Sequence, residues 1–240
     1  MFINNKYSGF FLDKHVEVTQ SDNVLYVTGL DESDKERFIH YLGADTDYSG
    51  IKRILEQDIT LKKAIICAPG IKIMNQPYFE TLISFVISQN NNIPRIKKII
   101  ESLCQNFGKQ IDGGYSFPTP ERLASLAAED LAVTRCGFRD KYIISAAQKY
   151  VSGEISAEKL ERLDTPDVIK KLCTIKGVGP KVANCVALFS LGRYDAFPID
   201  TWIKKIMNTY YPGGLPDYAI EYAGIAQQYL FCYARNELRD

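Results

Sequence analysis

Between Tyr7 and Gly29 apolar and polar residues alternate, with breaks around Lys14-His15 and Ser21-Asp22-Asn23. A strand points successive side chains to opposite faces, so this pattern predicts a short antiparallel sheet of about three strands. The period then lengthens. Asp31 opens a helix to about Leu42, Tyr48 begins another, and beyond Pro77 the apolar residues recur at helical spacing almost throughout. Pro69-Gly70, Pro118-Thr119-Pro120 and Gly213-Gly214 mark loops. The expected fold class is mostly α with a small N-terminal antiparallel β-sheet, an α+β chain. We expect it to divide into residues 1–72, sheet and first helices, and residues 73–240, a helical region.

Composition changes this picture only in part. A chain of 240 residues with 46% hydrophobic content can bury a sizeable core in one large domain or two modest ones. Its 29 basic and 29 acidic residues balance, which by itself points away from nucleic acid. The distribution is less even: Lys170, Lys171, Lys176, Lys181, Arg193, Lys204 and Lys205 face only Asp167, Asp195 and Asp200 between Pro166 and Tyr210, whereas Leu30 to Asp58 is acid-rich. Cysteines 67, 104, 136, 173, 185 and 232 form no Cys-x-x-Cys pair, and no signal peptide or membrane-length apolar run is present. These features predict a reducing cytoplasmic setting without membrane association. His15 and His40 stand far apart with no acidic companion motif, so no metal site is expected.

Candidate chemistry concentrates in Leu172 to Trp202, which reads LCTIKGVGPKVANCVALFSLGRYDAFPIDTW. Gly177 and Gly179 permit a tight turn and close backbone approach, and the N–H groups at the start of the helix opened by Pro180 form an anion site suited to phosphate. Lys181 falls in that helix's first turn, where the positive end of the dipole disfavours a second positive charge and so favours a neutral, nucleophilic amine. Cys185 is one helical turn further on, and Asp200 follows the predicted helix Val182 to Leu191. Taken singly they also read as a surface lysine, a core cysteine and an aspartate capping the helix Thr201 to Met207. A Walker phosphate loop and a Rossmann fingerprint are both excluded by glycine spacing.

Three further blocks offer contacts. Ser84 to Arg95 reads SFVISQNNNIPR, in which three asparagines favour a helix end and Arg95 carries a planar fork able to read a base. Thr134 to Ala146 reads TRCGFRDKYIISA, where Gly137 turns the chain so that Phe138 and Arg139 are expected to project from a loop tip. Tyr222 to Phe231 reads YAGIAQQYLF, in which Gln227 and Phe231 are four apart and share a helix face. Each block also has an ordinary reading: a polar connection, a phenylalanine tucked under its loop, and an aromatic core stripe.

The four blocks in this order, over roughly residues 76 to 235, resemble the 8-oxoguanine DNA glycosylase/AP lyase family of the helix-hairpin-helix glycosylase superfamily. The resemblance implies removal of 8-oxoguanine from duplex DNA, with Lys181 as nucleophile and Asp200 as catalytic carboxylate. By the same resemblance Cys185, Gln227 and Phe231 hold the flipped base, and Asn90 fills the vacated stack. Phe138 takes the wedge position, Arg95 and Arg139 contact the orphan cytosine, and Gly177 and Gly179 grip the backbone. The implied partner is double-stranded DNA containing oxidised guanine, bound by a monomer. Only Cys232 follows Cys185, so the four-cysteine iron–sulfur cluster of some relatives cannot form and no cofactor is expected.

This chain departs from the family pattern at its start, where a Gly-Gln-x-Phe-Arg-Trp run would precede Lys6-Tyr7-Ser8-Gly9, and at Trp202, where a histidine is familiar. We therefore expect that Met1 is not the natural start and that the N-terminal sheet is truncated. The zero net charge and the missing run leave a second expectation open: a lyase-only or non-catalytic DNA-binding protein derived from such an enzyme.

Overall fold

The computed structural model describes residues 2–3, 6–22 and 24–237; the expectation about Met1 lies outside them, as does Asn23. Strands β1 (Phe2–Ile3), β2 (Lys6–Phe11), β3 (Lys14–Ser21) and β4 (Val24–Thr28) form one antiparallel sheet in chain order. The three strands expected within Tyr7 to Gly29 are therefore present, and β1 adds an outer edge.

The first turn lies two residues earlier than the sequence suggested. Phe11 pairs with Lys14, and the two residues between them, Leu12 and Asp13, have φ of 50° and 61°. That is the left-handed pair a two-residue hairpin needs to match the strand twist. Lys14 and His15 belong to β3 instead, and Lys14 Nζ is engaged with Asp31 at 2.6 Å and Asp34 at 2.5 Å. Phe11 and Val16 meet Phe38 of helix α1 (Lys35–Tyr41) in a small separate core, with the two phenylalanine rings 5.0 Å apart.

The remaining helices are α2 (Tyr48–Leu55), α3 (Ile59–Cys67), α4 (Tyr78–Ser88), α5 (Ile93–Phe107), α6 (Pro120–Ala124), α7 (Asp140–Val151), α8 (Ala157–Glu161), α9 (Thr165–Leu172), α10 (Pro180–Ser190), α11 (Thr201–Tyr210) and α12 (Ala223–Glu237). One break in this helical run went unpredicted: β5 (Gln110–Ile111) and β6 (Gly114–Tyr115) form a tiny hairpin. Its Asp112-Gly113 turn, with Gly113 at φ 80°, is a strong hairpin signal that two-residue strands are too short to reinforce.

The main core is built on α4 and α10, which pack together. Leu82, Ile83, Val86 and Ile87 of α4 and Ala183, Val186, Ala187 and Leu188 of α10 belong to one buried cluster. Each large aliphatic side chain so buried contributes about 1.5–3 kcal/mol. Helices α2 and α3 add Leu55 and Leu61 to the same cluster, so only the sheet and α1 keep a core of their own. Helix α9 also packs on α10, and α3 and α11 pack on α12.

Candidate active site

Helix α9 ends in a compact turn. The N–H groups of Thr174, Ile175 and Val178 bond back to the carbonyls of Lys171, Leu172 and Ile175 at 3.1, 3.0 and 3.0 Å, and Val178 is buried beneath. The two glycines serve different needs. Gly177 has φ of 83°, and a Cβ there would stand 2.3 Å from the Tyr142 ring, so the position is closed by both conformation and packing. Gly179 has φ of −97°, open to any residue, and no atom lies within 4 Å of a Cβ placed there. Its bareness leaves the N–H groups at the start of α10 accessible, where an anion is favoured.

Lys181, exposed in the first turn of α10, leads into a cavity of about 150 Å³ lined by Phe85, Lys181, Cys185, Phe189, Pro198, Asp200, Gln227, Gln228 and Phe231. Its Nζ lies 5.4 Å from the centre of the Phe85 ring, and among the described residues it forms no ion pair within 4 Å. Cys185, one turn along, is 4% exposed. Burial pushes its thiol above the ordinary range; the neighbouring Lys181 amine opposes this and the Asp200 charge reinforces it. A thiol shifted in that direction is less readily converted to the reactive thiolate.

Asp200 stands at a helix start and at the cavity wall together. It is the N-cap of α11, accepting the Ile203 N–H at 2.8 Å, and it also lines the cavity. Gln227 and Phe231, one turn apart on α12, close the far side. All five side chains expected around the base thus meet in one place. Phe85, Phe189 and Gln228 belong to it as well and were not anticipated. Phe85 and Phe189 stack at 5.7 Å, and Phe189 follows Cys185 by four residues, a helical spacing that could have revealed it.

A second cluster forms where α4 gives way to α5. The three asparagines have three tasks: Asn90 adopts φ of 44° with an exposed side chain, Asn91 Nδ2 donates to the Ile87 carbonyl at 3.0 Å, and Asn92 caps α5 by accepting the Arg95 N–H at 3.0 Å. Asparagine tolerates the left-handed conformation better than most residues, so the helix-end expectation holds. Phe138 is 57% exposed at the tip of its loop, edge-on to Tyr142 at 5.9 Å. Arg95 is exposed and its Nη2 reaches the Arg135 carbonyl at 3.4 Å.

The expected projection of Arg139 is corrected by the structure. Arg139 is 1% exposed. Its Nε donates to the Gln89 carbonyl at 3.1 Å, Nη1 to Cys136 at 3.0 Å and Nη2 to Asn90 at 3.1 Å as well as to Gln89. Asn90's turn leaves backbone carbonyls without helical partners, and a buried fork of donors satisfies them. Phe138 keeps the exposed place beside it, with the guanidinium 4.4 Å from the centre of its ring.

Arg95, Lys176, Lys181 and Lys204 form no ion pair within 4 Å among the described residues, whereas the pairs that do form involve Lys6, Lys14, Lys35, His40, Lys149 and Lys170. Among the described residues there is no group of three metal-ligating side chains, and no helix is long and apolar enough to cross a membrane.

The family model described as HhH-GPD superfamily base excision DNA repair protein matches residues 83–217, and that of the 8-oxoguanine DNA glycosylase N-terminal domain matches residues 2–82. The fold is similar to MBOgg1 in complex with low affinity DNA ligand, with TM-score 0.89 and 42% identity, covering 98% of this chain and 86% of that one. It is likewise similar to Clostridium acetobutylicum 8-oxoguanine glycosylase/lyase in complex with dsDNA containing cytosine opposite to 8-oxoG, with TM-score 0.88, 35% identity and the same coverage of 98% and 86%. The N-glycosylase/DNA lyase of Saccharomyces cerevisiae is 42% identical over 155 residues, 57% of this chain and 41% of that protein. The chain thus spans about two fifths of the length of that curated relative. With both matched segments together reaching from residue 2 to residue 217, the chain belongs to the 8-oxoguanine DNA glycosylase family of the HhH-GPD base excision repair superfamily.

Proposed function

We propose that the protein is a base-excision DNA glycosylase that removes 8-oxoguanine from duplex DNA and then nicks the strand as an AP lyase. The observation that carries this reading is that Lys181 opens onto the same cavity as Asp200, Gln227 and Phe231. A nucleophile and a carboxylate beside a pocket with an aromatic wall and an amide suit a purine swung out of the helix.

Chemistry follows from that arrangement. Binding bends the duplex, Phe138 enters the stack and Asn90 fills the space left by the base. Arg95 holds the orphan cytosine; Arg139 supports the turn that carries Asn90, and reaches the cytosine itself only by exchanging one of its carbonyl partners. The C1′–N9 bond breaks with its electron pair leaving on the base, while the Asp200 carboxylate stabilises positive charge on the sugar. The Lys181 amine bonds to C1′, its proton passes to O4′ as the C1′–O4′ bond breaks and the ring opens to a Schiff base, and loss of a C2′ proton expels the 3′ phosphate. Gly179 and the start of α10 hold a backbone phosphate near by.

The six free thiols support action in a reducing compartment, the cytoplasm, and a monomer is the simplest unit for bending DNA. Two duplexes test the reading, one with 8-oxoguanine opposite cytosine and one with an abasic site, each followed for base release, nicking and borohydride-trapped adduct. Wild-type protein is expected to give all three, and Lys181→Gln to lose the adduct while still binding. A Lys181→Gln variant that still traps places the nucleophile elsewhere; nicking without base release reduces the protein to a lyase.

A further inference from the structure

Two neighbouring glutamines in the cavity form a one-way hydrogen-bond relay. Gln227 Nε2 donates to the Pro198 carbonyl at 3.1 Å. A carbonyl only accepts, so this contact fixes which end of the Gln227 amide is nitrogen. Its Oε1 in turn accepts from Gln228 Nε2 at 2.6 Å, which fixes the second amide by the same logic. Gln227 is 3% exposed, with both ends engaged. Gln228 is half-buried, lines the cavity, and its Oε1 has no hydrogen-bond partner among the described residues.

We infer that Gln228 is a specificity-determining residue, its Oε1 accepting a hydrogen bond from an N–H group of the flipped purine. This rests on the glycosylase reading above and deepens it. The Pro198 carbonyl sets the polarity of the whole relay, so the unspent polar atom at its end is an acceptor. A base that offers a proton there gains a bond, whereas a base that offers a lone pair meets repulsion. Oxidation of guanine at C8 turns N7 from an acceptor into an N–H donor, so an acceptor-edged pocket suits the oxidised ring. Gln228 also borders the adjoining hollow formed with Phe231, Cys232 and Arg235.

Gln228→Met keeps the length of the side chain and removes both polar atoms; Gln228→Ala removes the reach as well. Single-turnover base release from the 8-oxoguanine:cytosine duplex is expected to fall by about ten- to hundredfold in both. Nicking of a preformed abasic duplex, which contains no base to read, should stay within about twofold of wild type. Base release that is unchanged in both variants overturns the inference. So does a parallel loss of base release and abasic nicking, which would mark Gln228 as support for the fold. If the wild-type protein itself releases no base, the glycosylase reading fails and the inference with it, an outcome seen before any variant is made.

Discussion

The Arg139 guanidinium holds the Asn90 carbonyl at 3.1 Å across 49 residues of chain, and so joins the turn that follows α4 to the loop that carries Phe138. Burial, with Arg95 beside it, depresses the pKa of Arg139, yet a guanidinium remains charged and keeps all its donors. Removing it strands three carbonyls. Arg139→Met is expected to lower stability by about 3 kcal/mol. Arg139→Lys, which cannot fork between partners, should fall between that variant and wild type. Urea unfolding checks this, and a Met variant with the wild-type midpoint would show that the guanidinium contributes nothing net.

The helix cap of Asp200 and its proposed charge role can be separated by substitution. Asparagine caps helices as well as aspartate does, so Asp200→Asn should stay within about 0.5 kcal/mol of wild-type stability. Its single-turnover base release should drop by about 10²–10³, because a neutral amide does not stabilise a cationic sugar. Asp200→Ala loses the cap too, at about 1 kcal/mol. Equal rates for the Asn variant and wild type would exclude a charge role.

The hairpin glycines should respond oppositely. Gly177→Ala must hold a positive φ and displace the Tyr142 ring, and is expected to cost about 1–2 kcal/mol in thermal unfolding. Gly179→Ala faces open space and should leave stability within about 0.5 kcal/mol. Its methyl group stands where a phosphate must approach, so affinity for an abasic duplex should weaken about tenfold, the worth of one good hydrogen bond. Gly179→Ala binding DNA normally would remove the backbone grip from the mechanism.

A zero net charge does not predict weak salt dependence when cations such as Arg95, Lys176 and Lys204 form no ion pair among the described residues. Affinity for duplex DNA, followed by fluorescence anisotropy, should fall linearly in log–log form with salt. Lys176→Ala should make that slope shallower by about 0.9 if its ammonium meets one phosphate. A slope identical to wild type would place Lys176 away from the strand.

Much of this protein is written in short stretches of its chain. The sheet, the helices and the three tasks of Asn90, Asn91 and Asn92 depend on residues within about four positions of one another, where period, caps and turn preference act directly. The lysine, thiol and carboxylate of Leu172 to Trp202 were legible for the same reason, since one helix and one loop set their spacing. Other features depended on distant partners. Nothing local distinguishes Arg139 from a projecting arginine; its burial follows from carbonyls that α4 leaves unsatisfied 49 and 50 residues earlier. Gln228 likewise becomes an acceptor only because Pro198, 29 residues before Gln227, offers a carbonyl that fixes the relay. Periodicity and capping are decided by neighbours along the chain, whereas a buried donor or acceptor is decided by whichever polar group the packed core brings against it, and only the tertiary structure makes that choice.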